Sequence, residues 1–411
     1  MSRPDRKPRV LISAYACEPN KGSEPGVGWN WAKQIAKFSE VWVMTRANNR
    51  EVIEEELNRY PSPDLHFVYY DIPKYISFWK KKMRGFYAYY FLWQLGAFSV
   101  ARKLHRLIGF DVVHQLTFGN LWLPNLMPCL DIPLIWGPIG GGEQIPGSFR
   151  KQYDLKARVR ERLRDTVLNV LKIDIFFLYA VKRSSVIIAK TKETANRIRG
   201  SNRKKVVVMT DVAVSPRDIQ LLNNASNSLT ITAVGNLVAW RGFDLLIKAF
   251  LRVRDKRNIK LLIVGEGNYR RKLEEMVKKL NLSDYVIFTG KVRQTEYLEY
   301  LAGSTIYVNS SLKEGGVTAL FDALSLGLPV ICFDVAGSPE IVTGECGFKL
   351  KLINPEQTIT DLTYALSRLA HDTALRIKMG KEGRRRVLED CTWEKKGKII
   401  RKIYEGILGI G

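Results

Sequence analysis

The stretch "SLKEGGVTALFDALSLGLPVICFD", Ser311 to Asp334, puts an acid, two glycines, an amphipathic run and a β-branched strand in a fixed order. The strand-like run "TIYVNS" before it delivers Glu314 to the edge of a sheet. Gly315 and Gly316 let the backbone turn and come close to a ligand. The spacing predicts a helix that starts near Val317 or Thr318 and runs to about Leu326, where Gly327 and Pro329 stop it. Free amides and the positive dipole end of such a helix suit a diphosphate. Asp322 comes about one turn later, roughly 6 Å along the axis from Thr318, a step that leads from a phosphate to a ribose hydroxyl pair. A plain strand–turn–helix capped by a glutamate fits the same spacing.

Outward from this stretch the chain repeats one pattern. "RVLIS", "VWVMT", "HFVYYD", "DVVHQL", "PLIWG", "VIIAK" and "KVVVMT" read as strands in the first half. "LTITAVG", "IKLLIVG", "YVIFTG", "TIYVNS" and "PVICFD" do so in the second, with helical periods such as "YRRKLEEMVKKLNL" between them. Alternating strands and helices mean parallel sheets with crossover helices, and continuous apolar strands agree, because such strands are buried on both faces. The fold class is therefore α/β, with two doubly wound domains over 1–220 and 228–390 and a terminal helical segment over 391–411. The polar, turn-rich "QLLNNASNSLT", Gln220 to Thr230, is the expected seam. Ligands of open α/β sheets bind beyond the carboxyl ends of the strands, so the cleft between two such domains is the expected site.

Several constellations bear on that site. "GNLVAWRGFDLLIKAF" sets Gly235 and Asn236 at a strand end, with Arg241 and Gly242 at a helix start. A guanidinium there can pair bidentately with phosphate, or simply lie solvated in a loop. "GPIGGGEQIP" carries Gly140, Gly141 and Gly142 before Glu143, whose exposed amides form either an anion nest for an acceptor or a flexible turn. Gly22, Gly26 and Gly28 precede Trp29, but this is not the dinucleotide pattern GxGxxG, and NAD is not expected. His114 stands at a strand end, where histidines serve in structure as well as in chemistry. The four histidines are scattered and the sequence has no Asp-x-Asp, so no metal is expected.

Composition limits the partners. Five cysteines without a CxxC pair fit a reducing compartment, and "MSRPDRKPRVLISAYA" reads as a first strand rather than a signal peptide. The net charge of +24 favours polyanions: nucleic acid, anionic lipid or phosphorylated substrates. No recognised nucleic-acid motif accompanies it, so no nucleic acid is expected. The uncharged run Gly85–Ala101 is at the lower limit of a spanning length and, with its tyrosines, glutamine and glycines, reads as a buried or interfacial helix. Around it lie Lys80, Lys81, Lys82, Arg84, Arg102 and Lys103 with no acid between Lys74 and Arg106, and a second basic stretch runs from Arg150 to Lys172. Basic residues beside aromatics favour an anionic membrane surface. The expectation is a core-packed helix whose basic rim touches the bilayer.

The set "VGNLVAWRG", "LLIVGEGNYRRKL", "VIFTGKV", "TIYVNSSLKEGG…FDALSLGLPVI" and "AGSPEIV", in this order, resembles the family-4 retaining glycosyltransferases of GT-B fold. The resemblance covers most of 230–395, and "ACEPNKGSEPGVGWNWA", "DVVHQLTFGNLWLP" and "IWGPIGGGEQIP" are similar to a bacterial subgroup that builds surface polysaccharides. It implies two Rossmann-like domains facing across a cleft, the first on the acceptor side, and a last helix, "TWEKKGKIIRKIYEGIL", that returns to the first domain. It implies transfer of a hexosyl group from a UDP- or GDP-linked sugar to a hydroxyl of a lipid-linked glycan, with retention and without a metal or other cofactor. The protein would be cytoplasmic, peripheral on the inner face of the cell membrane. Residue by residue, Glu314 would contact the donor sugar and Asp322 the ribose. The amides of Gly315, Gly316, Val317 and Thr318 would hold the diphosphate, with Arg241 where a lysine is usual. Lys291 and Val292 would border the base, His114 would lie near sugar and acceptor, and the Gly22–Gly28 loop would close over the donor. Three positions depart from the pattern: Asp322 replaces a glutamate, Asn236 an arginine, and His114-Gln115-Leu116 lacks the second histidine of His-x-His. The alternatives are a GT-B sugar-nucleotide epimerase, a non-catalytic homologue and a basic nucleic-acid-binding protein.

Overall fold

The computed structural model describes residues 6–79, 85–151, 153–171, 173–214, 229–253, 258–313 and 317–410. Glu314, Gly315 and Gly316, the basic run Lys80–Arg84 and most of the expected seam lie outside the described residues.

Two sheets form, and every strand pair in them is parallel. The first holds β1 (Arg9–Ser13), β2 (Glu40–Thr45), β3 (Leu65–Tyr69), β4 (Val112–Gln115), β5 (Leu134–Ile139), β6 (Ser184–Ala189) and β7 (Val206–Val208), in the order β3-β2-β1-β4-β5-β6-β7. The second holds β8 (Leu229–Val234), β9 (Ile259–Val264), β10 (Val286–Gly290), β11 (Ile306–Asn309), β12 (Val330–Phe333) and β13 (Gly347–Leu350), in the order β10-β9-β8-β11-β12-β13. Both are doubly wound, and the order reverses between β1 and β4 in one and between β8 and β11 in the other. These are the topological switch points where such sheets bind ligands. β13 is not among the strands expected from the sequence: it is a short edge strand with one buried residue out of four.

The chain divides into two compact units. The N-terminal unit gathers the chain up to Gly142, Arg164–Val212 and the last helix, Trp393–Leu408. Its core lies between the sheet and the Phe86–Ile108 helix, where Tyr90, Trp93, Ala97 and Ala101 pack on Leu11, Val113 and Trp136. One face of the stretch Gly85–Ala101 is thus held in a core, while Tyr87, Phe91 and Leu95 on its other side are exposed. Among the described residues no helix is long and apolar enough to cross a membrane. On the opposite side of this sheet the Ser23–Ala36 helix and the last helix pack closely, so that a Cβ at Gly397 would stand 2.6 Å from Gln34 Oε1.

The C-terminal unit gathers Glu143–Leu163 and Ala213–Thr392. Its core joins β8, β9, β11 and β12 to the Phe243–Arg252 and Pro355–His371 helices. The expected break at 220–228 lies outside the described residues, and the segment Glu143–Leu163 joins this unit although it precedes that break. Ile145, Phe149 and Tyr153, which come after the triple glycine at a spacing of four, are buried in this second core.

Candidate functional site

At the switch point of the C-terminal unit, β8 ends at Val234 and Gly235 comes next with a positive φ of 152°. The chain passes exposed Asn236, makes a single 3-10 turn over Ala239–Arg241, and enters the Phe243–Arg252 helix through Gly242 at φ 65°. Only glycine fits there, because a Cβ would stand 2.3 Å from the carbonyl oxygen of Ser310 at the end of β11. The contact is reinforced twice: Ser310 Oγ donates to Arg241 O at 2.8 Å, and the Leu312 amide donates to Trp240 O at 3.0 Å. The Arg241 guanidinium folds back over Gly235, its Cζ 2.9 Å from where a Cβ would be, and lies 5.1 Å from the Trp240 ring centroid. The sequence-predicted cation is thus at the carboxyl end of β8.

After β11, Lys313 turns inward. Its Nζ reaches both oxygens of Glu161 at 2.5 and 2.6 Å and sits 5.5 Å from the Trp240 ring. Both side chains are almost fully enclosed, so this is a buried ion pair. It pins the segment leading to Glu314. The helix then begins at Thr318, preceded by Val317, and runs to Ser325, close to the expected bounds. Asp322 lies one turn in, half-buried, and accepts a hydrogen bond from the Tyr297 hydroxyl at 2.6 Å. Burial and the Asp322 carboxylate keep the Tyr297 hydroxyl well above its usual pKa, so it stays a donor. Lys291, exposed, and Val292 come after β10 at the same carboxyl edge of the sheet.

The N-terminal switch point is closed by its own residues. Gly22 is the N-cap of the Ser23–Ala36 helix, and Gly26 and Gly28 lie inside that helix, so the expected Gly22–Gly28 loop is helical. Gly26 and Gly28 are explained by packing: a Cβ at Gly26 would stand 1.8 Å from Lys21 O, and one at Gly28 2.2 Å from Ala16 O, whereas a Cβ at Gly22 would meet nothing. His114 is fully buried. Its Nε2 donates to Gly137 O at 2.7 Å, and its Nδ1 accepts from the Tyr404 hydroxyl of the last helix at 2.8 Å. Burial drives its pKa down to about 4, against the Gly137 bond, which raises it. The ring was expected near sugar and acceptor; in the structure one nitrogen ties the last helix to the sheet and the other bonds the neighbouring strand β5.

The glycine run is also partly engaged. The Gly140 amide donates to Gly119 O at 2.8 Å and the Gly142 amide to Thr194 Oγ1 at 3.1 Å, which removes two of the three amides of the expected nest. Glu143 is buried and belongs to the C-terminal unit. Sequence reasoning missed a buried charge cluster beside them: Lys190 Nζ lies 2.6 Å from Asp211 Oδ2 and 3.0 Å from Glu24 Oε1. Burial pushes the Lys190 pKa down, but the charges of Asp211 and Glu24 outweigh it and hold the ammonium above its usual range. Glu161, Tyr297 and Tyr404 were missed for the same reason, since their partners are far away in sequence. Among the described residues no group of three or more His, Cys, Asp and Glu could hold a metal ion.

The family described as glycosyl transferases group 1 matches residues 215–386. An uncharacterized glycosyltransferase of Methanocaldococcus jannaschii is 32% identical over 193 residues, 44% of this chain and 47% of the relative. A GDP-mannose-dependent monoacylated alpha-(1-6)-phosphatidylinositol monomannoside mannosyltransferase of Corynebacterium glutamicum is 31% identical over 183 residues, 43% of this chain and 46% of the relative. The chain thus spans about half the length of the curated relatives it matches. In three dimensions it resembles sucrose-phosphate synthase from Thermosynechococcus elongatus, with a TM-score of 0.67 at 19% identity over 99% of this chain and 100% of the other. With Arg241 and the Thr318 helix at the ends of adjacent strands of its sheet, the region 215–386 matches the family described as glycosyl transferases group 1, in a chain with the two-sheet fold of GT-B glycosyltransferases.

Proposed function

We propose that the protein moves a hexosyl group from a nucleotide-sugar to a hydroxyl of a lipid-linked glycan in surface-polysaccharide synthesis, with retention of configuration and without a metal. The observation that carries this is the Arg241 guanidinium folded over Gly235 at the end of β8, tied through Ser310 and Leu312 to the loop after β11. A fixed cation and the start of a helix at a switch point are what a diphosphate needs in place of a metal ion.

In this reading Arg241 and the amides at Val317 and Thr318 take the charge that develops on the leaving diphosphate. Asp322, held by Tyr297, accepts from the ribose hydroxyls; one methylene shorter than the usual glutamate, it gains its position from the tyrosine. Glu314 meets the sugar. The acceptor hydroxyl attacks from the face the diphosphate leaves, its oxygen bonds to the anomeric carbon as the phosphate–sugar bond breaks, and its proton goes to the departing phosphate oxygen. The protein supplies orientation and charge stabilisation rather than a covalent partner. The mannosyltransferase named above supports a GDP-linked hexose and a membrane lipid acceptor, with UDP-linked sugars as the other donor class. A lipid-linked acceptor places the protein at the inner, cytoplasmic face of the membrane.

The test is stabilisation by, and turnover of, UDP-glucose, UDP-N-acetylglucosamine and GDP-mannose. A donor at 100 times its Kd raises stability by about 2.7 kcal/mol. Transfer should persist in EDTA. Loss of nearly all transfer on chelation, restored by Mn²⁺, would refute metal independence, and release of a new sugar-nucleotide without acceptor would identify an epimerase instead.

A further inference from the structure

The Ile175–Arg183 helix, "IFFLYAVKR", is apolar on every side over its first seven residues. A helix of that composition is normally enclosed. Here only one face is covered: Phe177, Ala180 and Val181 pack into the N-terminal core, Phe177 at 6.0 Å from Trp136. The other faces are open. Ile173 is 76% exposed, Ile175 72% and Phe176 57%, and Val170, Leu178 and Tyr179 are exposed beside them. No other part of the described chain leaves so many large apolar side chains uncovered within ten residues. A patch of this kind marks an interaction surface.

The charge around it is of one sign. Lys182 and Arg183 end the helix, and the neighbouring turn Gly200–Lys205, "GSNRKK", has no acid. Lys205 Nζ donates to Lys182 O at 3.1 Å, which brings Arg203 and Lys204, both exposed, to the end of the apolar helix. The two acids that border the patch are already engaged. Asp174 Oδ1 accepts from the Phe176 and Phe177 amides as the helix cap, and Asp131 pairs with Arg183.

We propose that this surface seats in the interface of an anionic bilayer, with Ile173, Ile175, Phe176 and Tyr179 at the acyl boundary and Lys182, Arg203 and Lys204 on lipid phosphates. Apolar side chains next to a cationic rim are the physical signature of an interfacial helix. The inference rests on the membrane association proposed above and gives it a surface, different from the Arg102–Lys103 rim of the Phe86–Ile108 helix. That rim is exposed as well, but Tyr89, Tyr90 and Trp93 of its helix are turned into the core, and its exposed apolar residues Tyr87, Phe91, Leu95 and Leu107 are spread along the helix rather than gathered beside the rim.

The experiment is co-sedimentation of the full chain with phosphatidylcholine vesicles, with and without phosphatidylglycerol. Wild type should bind the anionic vesicles and lose binding as salt rises. Joint replacement of Ile175, Phe176 and Tyr179 by serine should weaken binding at least tenfold. Lys182→Gln with Arg203→Gln and Lys204→Gln should weaken binding to anionic vesicles alone by a similar factor. Arg102→Gln with Lys103→Gln should change it less than twofold. Unchanged circular dichroism and donor binding in solution show that each variant is folded. If wild type binds neither vesicle, membrane association itself fails. If wild type binds and the serine variant binds equally, the surface is misplaced. If the serine variant instead breaks up a solution dimer and leaves vesicle binding intact, the occupant is a second copy of the chain and the proposal is overturned.

Discussion

The two sheets share the order 3-2-1-4-5-6, yet their switch points are lined differently. Where β1 meets β4, polar groups are consumed internally. His114 is bonded at both nitrogens, Lys190 lies between two carboxylates, and the glycines of the first helix are filled by neighbouring backbone. Where β8 meets β11, the internal bonds run through backbone and through residues that flank the site, and they hold Arg241 and the Thr318 helix in position. Topology therefore supplies a crevice in both sheets. What differs is which side chains line each crevice: a sealed imidazole and a paired lysine in the first, and in the second an arginine beside the start of a helix.

The largest effect that can test this contrast is on the support of the second switch point. Glu161→Ala leaves the Lys313 ammonium buried without its carboxylate and should cost about 3–5 kcal/mol, read as a lower urea midpoint at unchanged slope. A loss below about 1 kcal/mol, the worth of an exposed pair, would show that water reaches it.

The next concerns the first switch point. The native His114 pKa of about 4 lies below the ordinary value of the unfolded chain, which is about 6.5. The unfolded state therefore binds the proton first, and stability is lost as pH falls from about 6.5 towards 4 and levels off below that. The difference corresponds to about 3 kcal/mol. His114→Gln should remove this component of the stability–pH curve between pH 7.5 and 4, and an unaltered curve would mean the ring is not sealed.

Arg241→Ala should lower donor affinity or transfer ten- to a hundredfold, as expected for a charged hydrogen bond of about 1.5–3 kcal/mol, with Arg241→Lys milder. A folded variant with wild-type kinetics would erase the contrast between the switch points. The smallest effect belongs to Tyr297→Phe, which removes one neutral donor from Asp322 and about 1 kcal/mol. Donor KM should rise severalfold at constant kcat, and the change should vanish in an Asp322→Ala background. Additive losses in the double variant would show that Tyr297 acts elsewhere.

The pattern of strands and helices was legible because it is local. Twelve strands read from apolar runs appear, and the helix after the glycine pair begins at Thr318 as its sequence indicates. Arg241 and Asp322 fall at the carboxyl edge of the second sheet for the same reason, since the end of a strand fixes where the next loop and helix begin. The parts that were not legible depend on partners far along the chain. Lys313 and Glu161 are 152 residues apart and His114 and Tyr404 are 290 apart, and no spacing rule connects either pair. The glycines of "KGSEPGVG" were expected in a loop and lie at the cap and first turns of a helix, because close packing and a loop both favour glycine, and only the neighbouring backbone shows that Gly26 and Gly28 are packed.

The last helix carries a consequence for how the molecule is made. A ribosome releases the chain from its amino end, and domains commonly fold as they emerge. Here the strand bearing His114 appears early, but Tyr404, whose hydroxyl bonds that ring, is delivered only after the whole C-terminal unit. Lys396, which donates to Thr210, arrives equally late. The first unit to be synthesised is thus the last to be completed, and until then its imidazole lacks the Tyr404 hydroxyl and its helix-docking face stays unfilled.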